Sequence, residues 1–324
     1  MALGEFELIQ SFFFTLGAQR SDVRLGIGDD CALLTVSQGM QLVVTMDTLV
    51  SGVHFLPDVD PAALGHKALA VNLSDLAAMG AEPAWITLGL TLPEVNPQWL
   101  TEFSRGMGQL AARHGVQLIG GDTTRGPLSI TIQAQGFLPI GQGLLRSGAQ
   151  SGDLIYVTGV LGDAGLGLRL LQQKLSQGSL QTKLIQHLER PEPRVEAGLA
   201  LRETATSAID ISDGLLADLG HILQASEVGA EVYLDQIPLS PAVKAAIETE
   251  DDWSLPLASG DDYELCFTLP PDCEGKMSEM SASLNLSMTC IGKISPEPGL
   301  RCWRDDNILW EPADSGYVHF TADD

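Results

Sequence analysis

The chain predicts a mixed α/β protein, of α+β type, folded as two domains. Three observations carry this expectation. Its 324 residues are more than one hydrophobic core usually serves. Strand-like and helix-like runs interleave through the first half. A turn-rich stretch over residues 141–152 interrupts them, and the same alternation restarts beyond it.

In the first half, residues 41–46, 85–92, 116–119 and 129–138 are β-branched or alternating runs bounded by Gly, Pro or Asp, and read as strands. Pro61 opens a helix to about Met79. Pro97 opens another that ends at His114 with Gly115 as its cap, since proline suits the first helical position and glycine the one after the last. Beyond the interruption come a strand at residues 154–158, a glycine-rich loop over 159–167 and a helix. A helix from Asp213 follows, with strands at 231–234, 263–268 and 288–294. The boundary falls near Gly148, giving domains 1–148 and 149–324.

Forty-two acidic residues against 18 basic ones give a formal charge of -24. Nucleic acid and anionic lipid both need basic patches, so neither is an expected partner. Glu5 and Glu7 interrupt any basic-then-apolar signal layout. No apolar run approaches the ~18 residues of a membrane span, and a cytoplasmic protein is expected. Five cysteines without a C-x-x-C pattern read as reduced thiols.

The aspartates carry the chemistry. Asp30 follows Gly26-Ile27-Gly28-Asp29, Asp47 ends the apolar strand, Asp75 lies in a helix rich in Ala and Leu, and Asp122 follows Gly120-Gly121. A carboxylate beside buried apolar residues is costly unless paired or bound to a cation, and bases are scarce near all four. Turn or helix-cap roles account for any one of them; the set together favours Mg²⁺, a hard cation that takes carboxylates plus substrate phosphates. In Asp210-Ile211-Ser212-Asp213-Gly214-Leu215, Ser212 either caps the helix beginning near Asp213 or joins two carboxylates beside exposed backbone N–H groups. Arg146 is either a surface arginine or a phosphate clamp.

No G-x-x-x-x-G-K-[ST] loop, H-R-D or D-F-G motif occurs. A nucleotide would therefore be held through metal ions and backbone.

These segments resemble the thiamine-monophosphate kinase family. The resemblance rests on Gly28-Asp29-Asp30-Cys31-Ala32, Met46-Asp47-Thr48-Leu49, His54-Phe55, Asn72-Leu73-Ser74-Asp75-Leu76, Gly120-Gly121-Asp122-Thr123-Thr124, Arg146-Ser147-Gly148, Asp210-Ile211-Ser212-Asp213-Gly214 and Ser259-Gly260-Asp261-Asp262-Tyr263. It implies a two-domain aminoimidazole-ribonucleotide-synthetase-like fold whose N-terminal domain dimerises through its sheet. It also implies ATP-dependent phosphorylation of thiamine monophosphate, with several Mg²⁺ ions and no phosphoenzyme. By the same resemblance, Asp30, Thr45, Met46 (through its backbone), Asp47, Asp75, Asp122, Asp210 and Asp213 are metal ligands. Gly121, Asp122, Arg146 and Ser212 contact ATP; His54, Asp261, Asp262 and Tyr317 meet the thiamine end. Asp75, Asp122 and Asp213 are the most critical, and no general base is implied. Two alternatives stand beside this reading: another ATP-dependent synthetase of the same superfamily, and a non-enzymatic divalent-metal-binding protein.

Overall fold

A computed structural model describes residues 4–173, 178–304, 308–310 and 316. The chain divides into one compact unit of residues 1–76 and 81–143 and a second of residues 77–80 and 144–324.

The first unit opens with α1 (Glu5–Phe12) and a small antiparallel ribbon of β1 (Val23–Leu25) and β2 (Leu33–Leu34). Longer strands follow, β3 (Met40–Val50), β4 (Glu82–Leu92), β5 (Gln117–Arg125) and β6 (Ser129–Pro139), with α2 (Pro61–Ala78) and α3 (Pro97–Arg113) between them. The sheet order is β3-β6-β4-β5. β6 runs antiparallel to both neighbours, while β4 and β5 are parallel, a pairing that requires the crossover α3 supplies.

The helices form where proline and periodicity place them. On α3, Leu100, Phe103, Met107 and Leu110 recur every three or four residues and are buried. Asn96 caps it, its side chain accepting from the N–H groups of Gln98 and Trp99, each at 3.1 Å. α2 is buried more completely, with Leu64, Leu69, Leu73 and Leu76 all at most 1% exposed. The two helices cross backbone to backbone: a Cβ on Gly106 would lie 1.9 Å from the Ala62 carbonyl oxygen, and one on Gly65 2.1 Å from that of Phe103.

One sheet face is apolar and covered, through Leu88 and Leu90 of β4 and Ile130 and Ile132 of β6. The other face leaves Leu42, Val44 and Met46 of β3 exposed by 46%, 53% and 60%. β3 also runs farther than its apolar core suggests. β6 pairs with it residue for residue from Met40 to Val50, so Asp47 lies inside the strand and does not end it.

The second unit holds β7 (Leu154–Thr158), β8 (Ser207–Asp210), β9 (Gly229–Tyr233), β10 (Leu265–Leu269), β11 (Met288–Ser295), β12 (Gly299–Arg304) and β13 (Ile308–Trp310), ordered β13-β12-β9-β11-β7-β10-β8. Its helices are α4 (Asp163–Gln172), α5 (Ser179–Glu189), α6 (Val195–Leu201), α7 (Leu215–Ser226), α8 (Pro241–Glu250), α9 (Ser254–Ala258) and α10 (Glu274–Leu284). The core joins Ile209, Leu215, Leu219, Val232 and Ile291. Two expected bounds shift for local reasons. α4 starts at Asp163, inside the expected loop, because Asp262 supplies the acceptor for the Gly162 N–H. β10 starts at Leu265 because Tyr263 adopts φ 49°, which no strand residue takes.

Candidate functional site

In the first unit, α2 is stitched to β3 by two polar side chains three residues apart on one helix face. The Thr45 hydroxyl donates to Asp75 Oδ2. The fully buried Asn72 accepts the Asp47 N–H at 3.2 Å, while its own amide donates to the Ala68 carbonyl at 3.1 Å. Thr45, Asp47 and Asp75 are thereby gathered along one edge of the sheet. Asn72 was not singled out from sequence; its signal is the polar Asn-x-x-Asp spacing inside an apolar helix. Met46 points outward, exposed. Across a trans peptide its carbonyl lies opposite the Asp47 N–H, on the β6 side.

Asp30 is exposed in a turn set by Gly28 at φ 121°, and its N–H donates to Asp29 Oδ1 at 2.8 Å. His54 folds back so that Nδ1 accepts the Val50 N–H at 3.0 Å, which leaves the proton of the neutral ring on Nε2. Gly121 needs to be glycine: its φ is 149° and a Cβ would sit 1.9 Å from the Leu88 carbonyl oxygen. Asp122 follows it, exposed on β5. The row Thr48–Thr131–Gly89–Asp122 crosses the whole sheet, so β3 and β5 lie about 14 Å apart, counting each strand step as roughly 4.8 Å. The four acids therefore do not stand as a ready-made cluster. Among the described residues no three His, Cys, Asp or Glu side chains are close enough to hold a metal ion.

In the second unit, Asp210 closes β8, 5% exposed, and the loop after it is laced to residues 261–264. Ile211 donates its N–H to the Glu264 carbonyl at 2.8 Å; the Tyr263 and Asp261 N–H groups donate to the Ile211 and Ser212 carbonyls, each at 2.8 Å. Glu264 is itself gripped by Arg194 and accepts from the Thr158 hydroxyl at 2.6 Å.

Ser212 does not cap α7, and the loop amides are not exposed. The N-cap is Gly214, at φ 116°, without any side-chain cap bond. Asp218, in the first turn of α7 and 3% exposed, turns back instead. Its Oδ2 accepts the N–H groups of Ser212, Asp213 and Gly214 at 3.0, 3.0 and 3.1 Å. Burial pushes the Asp218 carboxyl up to about 7, against the pull of those N–H groups.

Asp262 directs both carboxylate oxygens at the Gly162 N–H, at 3.1 and 3.0 Å, and desolvation lifts it well above the usual carboxylate range. Asp261 takes φ 61°, and its N–H bond ties it to the Ser212 loop. Arg146 is exposed. The Ser226 hydroxyl shapes its loop, donating to the Arg146 carbonyl at 3.2 Å and accepting from the Gly148 and Ala149 N–H groups at 3.1 and 3.2 Å. Tyr317 lies outside the described residues. Its neighbour Gly316 is described, and a Cβ there would lie 2.9 Å from the Asp213 carbonyl oxygen.

Each unit thus offers its own set of oxygen donors, Thr45, Asp47 and Asp75 in one, Asp210, Ser212 and Asp213 in the other. Such donors suit a hard cation that completes its coordination with water and phosphate.

The description "AIR synthase related protein, N-terminal domain" matches residues 28–138, and its C-terminal counterpart matches residues 150–304. The chain is 50% identical over 328 residues to the thiamine-monophosphate kinase of Escherichia coli (strain K12), covering 99% of this chain and 100% of that protein. Its fold superposes with a TM-score of 0.84 on the crystal structure of thiamine-monophosphate kinase from Stenotrophomonas maltophilia K279a, at 49% identity, covering 88% of this chain and 92% of that one. It superposes with a TM-score of 0.78 on AaThiL complexed with AMPPCP and TMP, at 29% identity and 99% coverage of each chain.

Proposed function

The chain belongs to the thiamine-monophosphate kinase family of AIR synthase related proteins, and on that premise we propose that it phosphorylates thiamine monophosphate to thiamine diphosphate with ATP as donor. The observation that carries this reading is 50% identity over 99% of the chain to an enzyme of that name. In the reaction, an oxygen of the thiamine phosphate forms a bond to the γ-phosphorus of ATP while the bond to the β,γ-bridging oxygen breaks, releasing ADP. That attacking oxygen is already deprotonated near neutral pH, since the second pKa of a phosphate ester is about 6. No general base is needed, and the protein's task is placement and charge compensation.

Asp30, Thr45, Asp47, Asp75, Asp122, Asp210 and Asp213, with the Met46 carbonyl, would hold Mg²⁺, which would supply the positive charge that two polyphosphates require. Among these, Asp75 and Thr45 fit the role best as a pair on one edge, because the hydroxyl orients the carboxylate. The Met46 carbonyl fits less well, being turned toward β6. Gly121, Arg146 and Ser212 serve the nucleotide, Ser212 through its hydroxyl alone because its amide is taken. His54, Asp261 and Tyr317 serve the thiamine end. Asp261 suits the thiazolium cation better than Asp262, whose carboxylate is occupied with Gly162.

A homodimer completes the site. Asp47 and Asp122 lie on opposite edges of one sheet, whose open face carries exposed Leu42, Val44 and Met46. Such a contiguous apolar patch fits a second copy of the chain. No described helix is long and apolar enough to cross a membrane, and we place the protein in the cytoplasm with its ATP supply. The test is transfer of label from γ-³²P-ATP to thiamine diphosphate. ATP turnover that ignores thiamine monophosphate would point to another synthetase of the superfamily, and no turnover to a metal-binding protein.

A further inference from the structure

We propose that Asp218 is a positioning residue that sets the Asp210–Gly214 loop to receive a cation and denies its amides to phosphate. The proposal rests on the kinase reading for the identity of the cation, and on geometry for the role. Three consecutive N–H groups converging on one point, Ser212, Asp213 and Gly214, make a nest of the kind that binds an external anion. Here the acceptor is built in, as Asp218 Oδ2 at 3.0, 3.0 and 3.1 Å. The Asp218 N–H also donates to the Gly214 carbonyl at 3.0 Å, so backbone and side chain of one residue clamp the turn from within.

The other side of the loop is fixed as well. The Ile211 and Ser212 carbonyls accept the Tyr263 and Asp261 N–H groups, and Gly260 packs so closely that a Cβ there would lie 2.4 Å from the Ser212 carbonyl oxygen. With these amides and carbonyls engaged inside the loop, what Ser212 and Asp213 offer a ligand is their side chains, both oxygen donors. Removing the clamp would free the three amides and let the donor side chains spread.

The test uses the full chain and probes free of nucleotide: Mn²⁺ alone, counted by electron paramagnetic resonance, and hydrogen exchange of the 210–214 backbone. Asp218→Ala should weaken one class of Mn²⁺ sites at least ~10-fold, the scale for losing a partner that orients a metal ligand, and should speed exchange of the loop. Asp218→Asn keeps an oxygen for the three N–H groups, so it should retain slow exchange and stay closer to wild type in Mn²⁺ affinity. Inorganic phosphate alone should slow loop exchange in Asp218→Ala and leave it unchanged in wild type. Should Asp218→Ala fail to fold, Asp218→Asn decides. An asparagine variant that keeps slow exchange yet loses the Mn²⁺ site would overturn positioning in favour of charge. Unchanged Mn²⁺ affinity in Asp218→Ala despite fast exchange would overturn it too. Thiamine diphosphate formation by the wild type is scored separately, so failure of the kinase reading and failure of the clamp are distinct results.

Discussion

Replacing Asp75 with asparagine separates the catalytic weight of this carboxylate from its structural weight. Asp75 accepts the Thr45 hydroxyl, and asparagine presents an oxygen of the same reach, so that bond survives. A neutral hydrogen bond contributes about 1 kcal/mol net, and weakening a charge-assisted one to a neutral one should cost less than about 2 kcal/mol. Folding should therefore change little, and urea unfolding would show a small shift in midpoint with an unaltered slope. What asparagine removes is the negative charge available to a hard cation. Losing one major electrostatic stabiliser of phosphoryl transfer should lower kcat at least ~10²-fold. Thr45→Val is the complementary change: it removes the orienting hydroxyl and keeps the charge, and should cost activity less than Asp75→Asn does. Steady-state kinetics at several Mg²⁺ concentrations, with unfolding curves on the same preparations, reads both effects. Near wild-type kcat in Asp75→Asn, or a loss of activity that merely follows a loss of folding, would rule out a metal-binding role for this carboxylate.

EDTA should abolish activity and Mg²⁺ or Mn²⁺ should restore it, as measured by thiamine diphosphate formation before and after dialysis. In metal-free protein, the buried Asp218 carboxyl, pushed up to about 7, favours folding while protonated. That stability is present below about pH 4 and is lost as pH rises through about 7, so urea unfolding of Asp218→Asn should vary less across this window, by up to about 4 kcal/mol. Gly106→Val should destabilise the first unit by several kcal/mol, because even a Cβ would meet the Ala62 carbonyl at 1.9 Å; thermal unfolding checks this. Sedimentation should give twice the 34.5 kDa chain mass, and charging the open sheet face with Val44→Lys should shift it toward the monomer.

The elements that were legible in the sequence are those whose signals are local. α2 and α3 begin at Pro61 and Pro97 as their prolines indicate, and Leu154–Thr158 was bounded correctly by its apolar run and the glycine after it. A carboxylate after Met46 reads as the end of a strand; the pairing with β6 that carries the strand past Asp47 to Val50 is a tertiary fact. Ser212 carries the residue type of a helix cap, yet a carboxylate six residues on takes the loop amides. Asp218 is an acid in the first turn of a helix, and nothing in the sequence around it singles it out. Its role depends on the left-handed bend at Gly214, which no periodicity reveals. Asp262 is similar: it serves a helix start 100 residues away. Asn72 was visible within a motif, but its bond to the Asp47 amide appears only when β3 and α2 are side by side.

Direct transfer between two phosphates leaves no intermediate on the protein. The measurement closest to it counts products in one reaction containing the purified chain, MgATP and thiamine monophosphate. Direct transfer requires one ADP for each thiamine diphosphate, no inorganic phosphate, and no ³²P on the protein after denaturation. ADP formed with inorganic phosphate and no thiamine diphosphate, or label retained by the chain, would contradict it.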